Sequence, residues 1–228
     1  MTDINTHKHL LDCTLRDGGY PIHFQFSGRD VKHICAGLEA AGISYIEVGH
    51  GLGLGASGLE HGVAFESDTA YIQIAKRSVK KARIGAFFIP GIGRLSDIEA
   101  AVEAGLDFLR VGTNVTEVSL AKDAVQLAKS LGLEVHLNLM KSYAVGVSAF
   151  PEIVHTAKSL GVDILYVVDS AGCMLPEEVA SYIRAVVLAE MKAGFHGHNN
   201  LDLVNANSLA ALDAGAMLVD ATLRGMGR

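Results

Sequence analysis

Two imidazoles stand two residues apart in Phe195-His196-Gly197-His198-Asn199-Asn200, inside a segment that reads as a β-strand. Side chains at i and i+2 of a strand share a face. If that face looks into a cleft or barrel, the ring nitrogens converge and offer half of a divalent-metal site. Two ordinary polar histidines at a strand end would show the same spacing, so a carboxylate and a cleft must join them. Thr14-Leu15-Arg16-Asp17-Gly18-Gly19-Tyr20, after the first apolar segment, offers the carboxylate. Asp17, His196 and His198 would form a facial set that leaves coordination positions open for a bidentate substrate.

These residues meet only if the fold brings the two ends of the chain together. Ala41-Gly42-Ile43, Ala104-Gly105-Leu106, Leu131-Gly132-Leu133, Leu160-Gly161-Val162 and Ala214-Gly215-Ala216 each close an amphipathic stretch with a glycine suited to the left-handed position after a helix. The apolar segments are Leu10 to Leu15, Tyr45 to Val48, Ile84 to Ile89, Phe108 to Val111, Val135 to Leu139, Ile164 to Val168, Gly194 to His198 and Met217 to Leu223. Ser27 with Asp30, Ser96 with Glu99, and Pro176 before Glu177-Glu178 read as helix starts. Val31, Ile34, Leu38 and Ala41 give the first helix an apolar stripe. Strands alternating with helices imply parallel pairing and right-handed crossovers.

Nothing marks the switch point of an open doubly wound sheet, so the expected fold class is α/β, a (β/α)8 TIM barrel forming one catalytic domain over residues 1–228. The sequence stops at Arg228, directly after the eighth strand. The last outer helix is therefore expected to be absent from this chain, either because the chain is a fragment or because another subunit supplies it.

In a parallel barrel the chemistry gathers at the C-terminal strand ends. Strand two delivers Glu47 and His50 there, strand four Arg110, Thr113 and Asn114, strand six Asp169 and Ser170, and strand eight Thr222 and Arg224. Glu47 and Asp169 read as hydrogen-bonding partners in the barrel mouth, Glu47 orienting a ligand or Arg16, with acid or base catalysis as the alternative. Thr113 and Ser170 are candidates for substrate contact or support. Lys141 after strand five would permit Schiff-base chemistry, a route made redundant by a metal set. Met140 and Met174 read as packing. Gly53-Leu54-Gly55-Ala56-Ser57-Gly58 matches a dinucleotide fingerprint, but it follows the second strand and no apolar helix opens at Gly58, so it reads as a mobile active-site loop.

Composition narrows the ligand. The chain has 228 residues, 50% hydrophobic and 19% charged, with a formal charge of −6 and no long basic run, which argues against nucleic acid or an anionic membrane as partner. Cys13, Cys35 and Cys173 lie far apart, so no disulfide framework or zinc ribbon is expected, and a reducing cytoplasm fits. The polar start Met1 to Lys8 lacks a signal-peptide core, and no apolar run spans a bilayer. A soluble, cytoplasmic homo-oligomer acting on a small molecule is expected.

Thr14-Leu15-Arg16-Asp17-Gly18-Gly19, His196-Gly197-His198-Asn199-Asn200-Leu201 and Ala206-Asn207-Ser208-Leu209-Ala210-Ala211 together resemble the metal-dependent pyruvate aldolase and hydroxymethylglutaryl-CoA lyase-like superfamily, the DRE-TIM metallolyases. Ile46-Glu47-Val48-Gly49-His50-Gly51 and Pro90-Gly91-Ile92-Gly93 are most similar to the 4-hydroxy-2-oxovalerate aldolases of that superfamily. The resemblance implies manganese or magnesium held by Asp17, His196 and His198, with Arg16 beside it facing a 2-oxo acid. Metal and guanidinium would both stabilise the enolate left when the carbon–carbon bond breaks. In those aldolases a histidine shortly after the Arg-Asp pair removes the 4-hydroxyl proton; Tyr20 stands in that place here. A phenol with a pKa of about 10 is a poor base at neutral pH unless the metal or Arg16 lowers it; otherwise Tyr20 would donate a proton or orient substrate, leaving His50 or His23 as candidate base.

Some relatives carry an asparagine metal ligand after strand eight, or a C-terminal domain that docks an aldehyde dehydrogenase. Neither is expected in this chain. The expected activity is thus cleavage of 4-hydroxy-2-oxo acids to pyruvate and an aldehyde. Claisen condensation of acetyl-CoA with a 2-oxo acid shares the same metal and arginine, and a non-catalytic or assembly-dependent barrel subunit is the reading from another class.

Overall fold

The computed structural model describes residues 8–227. Eight parallel strands close into a barrel in sequence order: β1 (His9–Asp12), β2 (Tyr45–Glu47), β3 (Arg83–Phe88), β4 (Phe108–Asn114), β5 (Glu134–Met140), β6 (Ile164–Asp169), β7 (Lys192–Gly197) and β8 (Leu218–Ala221). β8 returns to β1 from His9↔Leu218 to Asp12↔Ala221. Between them lie α1 (Gly28–Ala40), α2 (Asp68–Ser78), α3 (Leu95–Glu103), α4 (Lys122–Ser130), α5 (Phe150–Ser159), α6 (Pro176–Leu188) and α7 (Val204–Asp213). This is the (β/α)8 barrel that the repeat predicts. Among the described residues, β8 is followed by a short 3-10 turn, Leu223–Gly225. No described helix is long and apolar enough to cross a membrane.

The glycine stops act as the sequence implies: Gly42, Gly105, Gly132, Gly161 and Gly215 all have φ between 81° and 109°. Ser27 and Asp30 form a capping box on α1, whose buried residues are Val31, Cys35 and Leu38; Ala41 lies outside the helix and is exposed. α3 begins earlier than the Ser96 reading, at Leu95, because the Arg94 backbone N–H donates to the Asp97 carboxylate at 2.7 Å. The first strand is also shorter than its apolar run. Asp12 accepts the backbone N–H and hydroxyl of Thr14 at 2.9 and 3.1 Å, and the Cys13 carbonyl then accepts from Arg16, Asp17 and Gly18. That turn lifts Arg16 and Asp17 off the strand and onto a 3-10 segment, Asp17–Ile22, above the barrel mouth.

Inside the barrel, Leu11, Cys13, Phe108, Ile164, Tyr166, Val168 and Leu218 pack as one cluster. Three inward glycines make room for rings: a Cβ on Gly85 would lie 2.1 Å from Phe108, on Gly112 2.4 Å from Phe87, and on Gly194 2.5 Å from Tyr166. The larger core lies between strands and helices. The glycine-rich loop after β2 is not the free loop its composition implies. The Leu54 N–H donates to the Phe87 carbonyl and the Gly55 N–H to Asp68, both at 2.8 Å, while a Cβ on Gly53 would sit 2.3 Å from the Phe87 oxygen. Glycine here permits close backbone approach, and the loop is packed with Leu54 and Ala56 buried.

At the opposite end of the barrel, buried His136 meets the Glu134 carboxylate at 2.7 Å, and Arg83 bonds the other Glu134 oxygen. Burial pushes the Glu134 carboxyl up, but His136 and Arg83 outweigh it and hold it at about 2. Burial also lowers the His136 value. Both shifts have the same sign in stability: Glu134 contributes fully above its ordinary value of 4.5 and loses that contribution as pH falls toward about 2, while an unfolded His136 takes up a proton before the folded one does. In urea unfolding, Glu134→Gln is expected to be less stable than the parent at pH 7, with the gap closing toward pH ~2. A gap independent of pH would rule the ionised carboxylate out as its source.

Candidate active site

β7 and the turn after β1 bring the two halves of the sequence motif together. Asp17, His196 and His198 each place a ligand atom within 4.8 Å of the others. The two imidazole rings lie 5.0 Å apart at 78°, although β7 ends at Gly197 and His198 follows it. His196 Nδ1 is 2.6 Å from the Asp220 carboxylate, which fixes the ring and leaves Nε2 as the nitrogen for an ion. Carboxylate, two imidazoles and an outer carboxylate on one of them is a donor set that fits a divalent cation. A second group, Cys13, His196 and Asp220, is also close. It fits less well, because Asp220 is already neutralised by Arg110 at 2.6 Å.

Arg16 is buried and held on two sides: Nε donates to Glu47 at 2.8 Å and Nη1 to Asp17 at 2.9 Å. Its carbon centre lies 4.7 Å from the Phe87 ring centroid. Burial works against the charge, but Glu47 and Asp17 outweigh it. The same Glu47 oxygen accepts from Arg110 Nη1 at 3.0 Å, and Arg110 Nη2 reaches Asp220 at 2.6 Å. Burial pushes Asp220 up, yet Arg110 and His196 hold it at about 2. A buried series of alternating charge therefore runs Asp17, Arg16, Glu47, Arg110, Asp220 and ends on the His196 imidazole, joining the carboxylate end of the candidate metal set to an imidazole end through the barrel interior.

Arg16, Tyr20, Asn138, Ser170, His196 and His198 border a cavity of about 60 Å³ whose other side chains, Leu52, Phe87, Ile89, Met140 and Val168, are apolar. Asp17, His196 and His198 also border a neighbouring cavity of about 310 Å³ with Asn199, Ser208 and Thr222. The remaining sequence candidates fall elsewhere. His50 is buried, its Nδ1 accepts the Leu52 N–H at 3.1 Å, and its ring lies 3.8 Å from that of Phe24. It does not border the small cavity, and burial lowers its pKa. The exposed His23, at φ 52°, does not border it either.

Thr113 is also outside, for a reason of parity: Arg110 and Gly112 face inward, so Thr113 faces the outer layer with Leu109 and Val111. Asp169 accepts the Cys173 and Met174 backbone N–H groups at 3.1 and 2.9 Å, shaping the loop before α6 instead of facing a substrate. Ser170 Oγ accepts the Lys141 N–H at 3.0 Å. Sequence reading did not assign roles to Arg110, Asp220 or Asn138.

The chain matches the HMGL-like family model over residues 8–228. It is 42% identical over 229 residues to oxaloacetate decarboxylase of Mycobacterium tuberculosis, covering 100% of this chain and 68% of that one. It is 41% identical over 221 residues to 4-hydroxy-2-oxovalerate aldolase of Pelotomaculum thermopropionicum, covering 96% and 65%. The chain thus spans about two thirds of the length of these curated relatives, 68% and 65%. An N-terminal domain from Bacteroides vulgatus superposes with a TM-score of 0.79 at 28% identity, over 96% of this chain and 74% of that one. The carboxyl transferase domain of Rhizobium etli pyruvate carboxylase superposes at 0.82 but 16% identity, over 98% and 41%, a likeness of fold alone.

Proposed function

This chain belongs to the HMGL-like family, and from that premise we propose that it is a divalent-metal-dependent lyase that breaks the C3–C4 bond of a 2-oxo acid to give pyruvate. The observation that carries the reading is the convergence of Asp17, His196 and His198 beside the fixed Arg16 guanidinium. Manganese or magnesium bound there would polarise the keto oxygen and stabilise negative charge on it. Arg16 supplies the second stabilising charge: Glu47 and Asp17 hold its Nε and Nη1, and Nη2 is the nitrogen available to the substrate oxygen. Asp220 keeps the His196 ring from turning. Tyr20 borders the small cavity, and its phenol would be the proton donor for C3 of the enolate in this reading.

Two leaving groups suit this frame. With a 4-hydroxy-2-oxo acid, C4 departs as an aldehyde once its hydroxyl proton is removed. With oxaloacetate, C4 departs as carbon dioxide and no such proton needs removing. The second reading is favoured by a specific observation: once His196 and His198 hold an ion, no other imidazole or carboxylate among the described residues borders the small cavity to act as base. Neither reading requires acetyl-CoA.

Pyruvate release from 4-hydroxy-2-oxopentanoate and from oxaloacetate, with manganese and again with chelator, tests the proposal. Metal-dependent release from at least one substrate, lost in Asp17→Asn, is expected. Release that survives both chelation and Asp17→Asn would refute it.

A further inference from the structure

Asn138 is the inward residue of β5 before Met140, is 2% exposed, and borders the small cavity. Its Oδ1 accepts no hydrogen bond from a described residue. A buried amide oxygen without a partner is costly, and the cavity it borders is where a partner can enter. β5 lies four strands from β1 in the closed barrel, and Asn138 borders the same small cavity as Arg16. A 2-oxo acid whose carboxylate and keto oxygens lie toward Arg16 and the Asp17, His196, His198 side extends C3 and C4 toward β5. The wall there is otherwise largely apolar, with Ile89, Met140 and Val168.

We propose that Asn138 is a specificity-determining residue whose carboxamide hydrogen-bonds an oxygen on C4 of the substrate. This rests on the 2-oxo acid reading above. A carboxamide both donates and accepts, so it serves a C4 hydroxyl and a C4 carboxylate alike. The class selected is 2-oxo acids that carry oxygen on C4, over those with a plain alkyl C4.

Asn138→Leu keeps the volume and removes the polar group. With manganese, it is expected to lower kcat/KM for 4-hydroxy-2-oxopentanoate or oxaloacetate by about 10–100-fold. Oxalate, which has no C4, should bind within about twofold of its parent affinity. Unchanged kcat/KM, or oxalate affinity falling in parallel, would overturn the assignment. Should the parent protein turn over neither substrate, the lyase reading fails separately and calorimetry decides Asn138: the parent must bind 4-hydroxy-2-oxobutyrate more tightly than 2-oxobutyrate, and Asn138→Leu must abolish that preference. Absence of the preference in the parent overturns the proposal. If Asn138→Leu does not fold by circular dichroism, Asn138→Ala carries the same expectations.

Discussion

Arg110→Met is expected to destabilise the protein by about 3–5 kcal/mol, the range for breaking a buried ion pair from one side. Arg110 is fully buried, stacks 4.4 Å from the Tyr166 ring centroid, and binds Glu47 at 3.0 Å and Asp220 at 2.6 Å. Methionine fills much of the volume but removes the cation that joins the buried Glu47 and Asp220 carboxylates. Glu47 retains Arg16 and Asp220 retains His196, so the loss is partial and the chain can still fold. Urea unfolding checks it, and Arg110→Met combined with Glu47→Gln and Asp220→Asn should recover part of the loss, because the uncompensated charges go with it. A change under about 1 kcal/mol, typical of an exposed pair, would mean that the series is solvated.

Arg16→Lys is expected to lower kcat for the preferred substrate by about 10²–10³, the magnitude for losing one donor to a developing oxyanion. Lysine keeps the charge but cannot hold Glu47 and Asp17 with two nitrogens of one plane while presenting a third to the substrate. The Glu47 charge stays compensated by Arg110, so the fold should survive. Manganese affinity should change far less than kcat, since Arg16 is not a ligand. Equal losses in both would make Arg16 a residue that only positions Asp17.

The barrel was legible because five of the seven described helices, all but α2 and α6, are followed by a glycine that adopts the left-handed conformation, and because the strands between are apolar runs of strand length. The Arg16-Asp17 and His196-x-His198 pairs were legible because their types and spacing are chemical. Asp220 and Arg110 were not, since each looks like one charge in an apolar strand until register pairs them. A signal was present: Glu47, Arg110 and Asp220 sit at inward positions of buried strands, and charges there have to find partners. His50 and Thr113 were placed at the mouth by strand-end position alone. Side-chain parity sends Thr113 outward, and the packing of Phe24 holds His50 behind the wall.

Anomalous scattering from crystals soaked with manganese and oxalate tests the metal assignment most directly. The expected result is one manganese peak between Asp17, His196 Nε2 and His198, with oxalate completing its coordination beside Arg16. A peak on the Cys13 and Asp220 side of His196, or none in that region, would contradict it.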